Sequence, residues 1–184
     1  MCNKNCIEFG KNNLRKEEIE NKRVLEIGSL DINGSLRNFI ETLKPAEYIG
    51  VDKQKGKGVD VICDVNELIT TFGKESFDVV IATEILEHIA FWTLAISNIK
   101  NVCKPNGIIL ITTRSKGFPY HGYPDDFWRY EVDDMKKIFS DCEVMTIEKD
   151  EAIGVFVKAK KPKDFAENNL ENFKLYNINS KFKV

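Results

Sequence analysis

Carboxylates recur at the ends of short apolar runs in this chain. Glu26 and Gly28 close RVLEIG, Asp52 closes YIGVD, Asp64 closes VDVICD and Glu84 follows FDVVIAT. In an open α/β sheet the first residues after successive strands meet in one crevice. A crevice lined by carboxylates suits a cationic ligand and opposes a phosphate. The run Gly28-Ser29-Leu30-Asp31-Ile32-Asn33-Gly34 makes the same distinction. A dinucleotide loop needs G-x-G-x-x-G so that backbone can approach a pyrophosphate at a helix N-terminus. Here Leu30 stands where the second glycine belongs and Asp31 adds negative charge, which disfavours an NAD(P)-dependent oxidoreductase. Asp52 lies 24 residues after Gly28, close to the separation at which a strand-end carboxylate accepts hydrogen bonds from ribose hydroxyls. Blander roles exist for each: a tight turn at Gly28, a strand-end cap at Asp52, a helix cap at Asp64.

A second group of reactive side chains falls in the Gly-, Pro- and aromatic-rich stretch SKGFPYHGYPDDFWRYE, around 115–131. His121 is the candidate general base for a hydroxyl or amine acceptor, with Asp125 or Asp126 able to orient it. Tyr123 and Trp128 would line an acceptor pocket or pin the loop. Arg129 would bind an acidic substrate or form a structural ion pair. Glu84-Ile85-Leu86-Glu87-His88 offers a further possibility. On a helix this spacing sets Glu84, Glu87 and His88 on one face, where His121 could complete a divalent-metal site, or where His88 contacts a ligand directly.

The elements that must hold these groups are legible from periodicity. Strands are expected at 23–28, 48–52, 59–64, 77–83 and 107–114, and helices at 34–43, 66–73, 87–103 and 131–140. That alternation predicts a single α/β domain, a doubly wound and mostly parallel seven-stranded sheet with helices on both faces. Strands at 142–150 and 152–160 are joined by a residue or two, so they form a C-terminal antiparallel hairpin. Residues 1–21 read as a lead-in segment, 22–162 as the ligand-binding domain and 163–184 as a tail, helical or simply packed.

Composition bounds the rest. With 184 residues there is room for one core, and a net charge of -2 supplies no field for a polyanion, so nucleic acid is an unlikely partner. No apolar run reaches the roughly 18–20 residues of a membrane helix, and the polar start MCNKNCIEFG has no signal-peptide core, so a cytoplasmic location is expected. Cys2, Cys6, Cys63, Cys103 and Cys142 are odd in number and read as reduced thiols. Cys2 and Cys6 alone are too few for a metal site.

Taken together, VLEIGS, the strand-end Asp52 and Asp64, ATEILEHI and CKPNGIILITT resemble the class I, Rossmann-like S-adenosylmethionine-dependent methyltransferases over about residues 22–160. The resemblance implies S-adenosyl-L-methionine as cofactor, with Asp52 on the ribose and Asp64 at the adenine amino group. It implies a cofactor set of Glu26, Gly28, Ser29, Asp52, Lys53, Asp64, Val65, Thr83 and Glu84. The sparse glycines after Gly28 depart from the family pattern and leave the loop path open. No Asn-Pro-Pro-aromatic run follows strand four, where Thr83-Glu84-Ile85-Leu86 stands, and no Pro-Cys nucleophile occurs, which removes the adenine, glutamine and cytosine-C5 methylating classes. The expectation is O- or N-methylation of a small molecule or saccharide. One alternative is a metal-dependent RNA 2'-O-methyltransferase: E-x-x-E-H with a distant His is similar to the small-RNA 3'-terminal enzymes, which place two Glu and two His around a metal. Another is a non-catalytic cofactor-binding or partner subunit that retains the fold.

Overall fold

The computed structural model describes residues 4–122 and 125–184, so Cys2 and Tyr123 lie outside the described residues. Helices α1 (Lys4–Asn13) and α2 (Lys16–Ile19) precede β1 (Arg23–Ile27). Next come α3 (Arg37–Thr42), β2 (Glu47–Asp52), β3 (Val61–Ile62), α4 (Leu68–Phe72) and β4 (Phe77–Thr83). Helix α5 (Trp92–Val102) leads into β5 (Cys103–Arg114), a short β6 (Trp128–Arg129) and α6 (Val132–Ile138). The chain finishes with β7 (Glu143–Asp150), β8 (Gly154–Lys160), β9 (Tyr176–Asn177) and β10 (Phe182–Lys183).

The seven-stranded sheet runs β3-β2-β1-β4-β5-β8-β7, parallel from β3 to β5 and antiparallel at both β5–β8 and β8–β7. Alternation along the central strands explains the two covered faces. Leu25, Ile27, Val80 and Ala82 turn to the side packed by α4, α5 and α6, whereas Val24, Val79 and Ile81 meet Phe9, Leu14, Ile19, Leu36 and Ile40. The winding reverses between β1 and β4, and the cleft of interest opens there.

One boundary differs from the sequence expectation, and two features add to it. The expected antiparallel hairpin is present, with its last strand next to β5 and β7 at the edge. Burial explains the order: Gly154–Ala159 are buried throughout, while β7 is exposed or half-buried along most of its length. The helix expected from 87 begins only at Trp92, after a separate 3-10 turn over Leu86–His88. Of the two alternatives for the tail, helical or packed, the packed one holds. β9 pairs with β6 on one side and β10 on the other in a second, three-stranded sheet, and Leu175 is fully buried in the main core. Among the described residues no helix is long and apolar enough to cross a membrane.

Candidate active site

β1 ends in a turn whose geometry fixes the cleft floor. Gly28 has φ 72°, and a Cβ there would stand 2.6 Å from Ile85 Cδ1, so the residue must be glycine on both counts. The Gly28 and Ser29 N–H groups both donate to Val51 O, at 2.9 and 3.0 Å, which draws the loop against β2. Beyond them the chain is tied to the β2–β3 connection: Asp31 N donates to Lys57 O at 2.9 Å and Asp31 Oδ2 pairs with Lys57 Nζ at 2.6 Å. Asp31 therefore spends its charge on Lys57 and not on a ligand, while Leu30 and Ile32 face the cleft.

The cleft encloses about 340 Å³ at the carboxyl ends of β1, β2 and β4. Of the expected cofactor residues, Gly28, Asp52, Lys53, Asp64, Val65 and Glu84 line it. Asp52 Oδ1 accepts from Gln54 N at 2.9 Å, and Asp64 Oδ1 accepts from Asn66 N and Nδ2, both at 2.8 Å. Each carboxylate keeps its second oxygen without a hydrogen bond among the described residues. Asp64 is thus a turn cap and a cleft residue at once.

Glu26, Ser29 and Thr83 do not line the cleft. Glu26 points to the other face of β1, where its carboxylate accepts from Tyr48 Oη at 2.6 Å and Ser35 Oγ at 3.2 Å. Burial pushes the Glu26 carboxyl up even though those donors and Arg37 pull it down. Ser29 and Thr83 are buried. Residues that sequence reasoning did not single out complete the walls: Gln54, Asn66, Ile89, Ala90, Phe91 and Phe127. The available signal was the apolar Ile89-Ala90-Phe91 immediately after the strand-four motif, and Phe91 is 72% exposed at the rim.

The E-x-x-E-H segment is not one helical face. Glu84 sits at φ 54°, an uncommon conformation for a side-chain-bearing residue, and its carboxylate turns to Arg114, which also reaches Asp150 at 3.5 Å. Burial, with Glu87 close by, pushes the Glu84 carboxyl well up despite Arg114. Glu84 is accordingly remote in role from Glu87, His88 and His121, which do converge, their candidate ligand atoms lying within 4.8 Å of one another.

That cluster joins the acceptor-side segment to the cleft wall. His88 Nδ1 lies 2.6 Å from Asp125 O, and His121 Nδ1 lies 3.0 Å from Asp126 Oδ2. Both Nε2 atoms face Glu87 Oε1, at 4.0 Å from His88 and 3.6 Å from His121. Glu87 is fully buried; its Oε2 accepts from Thr113 Oγ1 at 2.8 Å, and its Oε1 has no hydrogen bond among the described residues. Burial would raise Glu87, but His121 and His88 hold it below the usual carboxylate range. Burial would lower His121, but its contacts with Asp126 and Glu87 raise it to about 9. At neutral pH the ring therefore holds a proton and is not poised to take one.

Asp126, expected to orient His121, does so, while Asp125 contributes its carbonyl to His88 instead. Arg129 is buried and wholly internal: it pairs with Asp126 through Nη1 at 2.5 Å and Nη2 at 2.6 Å, and donates to Phe118 O and Pro119 O. It cannot also bind an acidic acceptor. Trp128 Nε1 donates to Ile89 O at 3.0 Å, so this indole pins the segment to the cleft wall and does not line the cleft.

The profile of the family described as "Methyltransferase domain" matches residues 5–142. A ubiquinone biosynthesis O-methyltransferase of Agrobacterium fabrum (strain C58 / ATCC 33970) is 27% identical over 124 residues, 60% of this chain. The chain spans about half of that relative, 48% of its length. Among solved structures, the 1,6-didemethyltoxoflavin-N1-methyltransferase of Burkholderia thailandensis, with 1,6-didemethyltoxoflavin and S-adenosylhomocysteine bound, aligns with a TM-score of 0.67 at 13% identity, over 85% of this chain and 78% of that one. An S-adenosylmethionine-dependent methyltransferase from Mesorhizobium loti aligns at 0.64 and 13% identity, over 84% of this chain and 96% of that one.

Proposed function

The chain belongs to the methyltransferase-domain family, and from that membership we propose that it transfers the methyl group of S-adenosylmethionine to a hydroxyl oxygen or amine nitrogen of a small, largely apolar molecule. The observation that carries the cofactor half is the make-up of the cleft. Asp52, Asp64 and Asp125 line it against one lysine, Lys53, the Glu84 carboxylate being taken up by Arg114, and Leu30 blocks the approach that a pyrophosphate needs. Such a lining favours a cationic nucleoside over a dinucleotide.

In this reading the unpartnered oxygens of Asp52 and Asp64 accept from the ribose hydroxyls and the adenine amino group. Gly28 gives the close backbone approach that a side chain would obstruct, and Val65 with Ile85 supplies apolar wall. The bound cofactor supplies a methyl group already activated on a sulfonium. What remains for the protein is alignment and exclusion of water. Ile89, Ala90, Phe91 and Phe127 offer the acceptor an apolar seat, and His88 and Asp125 border it with polar groups. That seat favours a ring or alkyl-bearing acceptor over a saccharide. The named activity of the Agrobacterium relative, an O-methyltransferase, supports oxygen as the receiving atom.

Calorimetric titration with S-adenosylhomocysteine tests the first half, and tritiated-methyl transfer to fractionated metabolites tests the second. We expect one cofactor site per chain and label entering an organic-extractable fraction. No binding of S-adenosylhomocysteine would overturn the whole reading. Label confined to RNA or glycan fractions would overturn the acceptor class.

A further inference from the structure

The chain has two histidines, and both aim the same ring nitrogen at one buried carboxylate. His88 gives its Nδ1–H to the Asp125 carbonyl, 2.6 Å away, an acceptor that fixes the tautomer. His121 gives its Nδ1–H to Asp126, 3.0 Å away, and Asp126 is itself locked by both Arg129 Nη groups. Each imidazole is thereby oriented by a second partner with Nε2 turned to the centre, which is how metal-ligating histidines are held.

At that centre stands Glu87 Oε1, inside a fully buried side chain and without a hydrogen bond among the described residues. Its separations of 3.6 Å from His121 Nε2 and 4.0 Å from His88 Nε2 are too long for N–H···O bonds. The first matches the roughly 3.3–3.6 Å between tetrahedral neighbours at ligand bonds of about 2.0–2.2 Å, and the others, none wider than 4.8 Å, must close by small ring movements when an ion binds. A cation placed among these atoms would satisfy the buried carboxylate oxygen in place of the proton that His121 otherwise carries.

We propose that Glu87, His88 and His121 form a three-ligand site for a divalent transition-metal cation, with its remaining coordination positions turned toward the cleft that His88 lines. Two imidazoles and one carboxylate select zinc- or iron-type ions over magnesium, which prefers oxygen donors throughout. Glu84, on which a four-ligand reading of E-x-x-E-H depends, is committed to Arg114. Three protein ligands leave room for an exchangeable oxygen, the arrangement of a working site and not of a structural one. The consequence for chemistry rests on the methyl-transfer reading: a hydroxyl acceptor bound to the cation loses its proton more readily. The substrate class is then a small molecule whose receiving hydroxyl can coordinate a metal.

The test uses untagged, chelator-treated full chain labelled with 15N-histidine, which contains just these two rings. One equivalent of Zn2+ should shift the Nε2 resonances of both histidines, leave both Nδ1 atoms protonated, and saturate at one ion per chain; Mg2+ should not. Unmoved ring nitrogens, displacement of a single ring, or uptake at cysteines with the rings unchanged would overturn the proposal. His88→Asn and His121→Asn should each weaken Zn2+ binding by at least about 100-fold in competition with a chelator, and undiminished affinity in both would also overturn it. Because the wild-type spectra report the site directly, a variant that fails to fold does not rescue the idea. Titration of the same wild-type sample with S-adenosylhomocysteine separates the two readings: cofactor binding without zinc uptake removes the metal alone, and zinc uptake without cofactor binding removes the methyl-transfer reading alone.

Discussion

Asp52 and Gly28 test different kinds of contribution at the residue scale. Asp52 has a carboxylate oxygen with no protein partner among the described residues, so its removal should leave the fold intact. Hydrogen bonds to a charged group are worth about 1.5–3 kcal/mol, and Asp52→Ala should therefore weaken S-adenosylhomocysteine binding about 10- to 100-fold in calorimetry, with an unchanged circular dichroism spectrum. Gly28→Ala acts through geometry. A positive φ of 72° combined with a Cβ only 2.6 Å from Ile85 Cδ1 should cost about 1–3 kcal/mol of stability, read as a lower denaturant midpoint, and should weaken cofactor binding as the turn moves. The position and type of both residues were readable from the chain, because strand ends and tight turns leave local signatures. Glu26 was not, because which face of β1 its side chain takes depends on the pleat. Its neighbours Leu25 and Ile27 claim the α5 side, so Glu26 goes to Tyr48 and Ser35.

At the scale of elements, the segment between β5 and α6 is held from two directions. Trp128 fastens it to the cleft wall, and the chain's final residues fasten it from outside: Ile178 N donates to Phe127 O at 2.8 Å and Asn179 Nδ2 to Asp126 O at 3.0 Å. The clamp has its own anchor in the core, Leu175, which is fully buried. Leu175→Ala should destabilise the protein by about 2–5 kcal/mol in chemical denaturation. It should also speed proteolytic cleavage between residues 115 and 127 more than cleavage elsewhere, since β9 aligns the loop through β6. Equal acceleration throughout the chain would count against a local clamp. No periodicity announces such a clamp, because strands of two residues carry no alternation to read.

For the molecule as a whole, acid stability follows from the paired carboxylates. Asp78 accepts from Arg23 N and Lys104 Nζ, each at 2.9 Å, and though burial raises it, these contacts hold its carboxyl below the usual range. Asp60, bound by Arg37 and Gly50 N, is likewise lowered. For such groups the unfolded chain binds more protons, so stability rises with pH through this range. Their contribution is complete above the unfolded value near pH 4 and is lost as pH falls through the lower folded values. Asp78→Asn should cost about 1–2 kcal/mol at pH 7 and progressively less toward pH 2, shown by converging urea midpoints of variant and wild type. A constant difference between them at every pH would refute the assignment.

The alternation of strands and helices, the parallel half of the sheet and the strand-end placement of Gly28, Asp52 and Asp64 are legible along the chain, because each is written in local periodicity or in the residue that ends a run. Long-range packing is what puts β8 inside β7, gives Arg129 to Asp126, takes Glu84 from the E-x-x-E-H row to Arg114, and lets His88 and His121 share Glu87. Those outcomes come from groups far apart in the chain competing for the same buried partners. Such competition is settled by packing and charge pairing across the core, which no local spacing records.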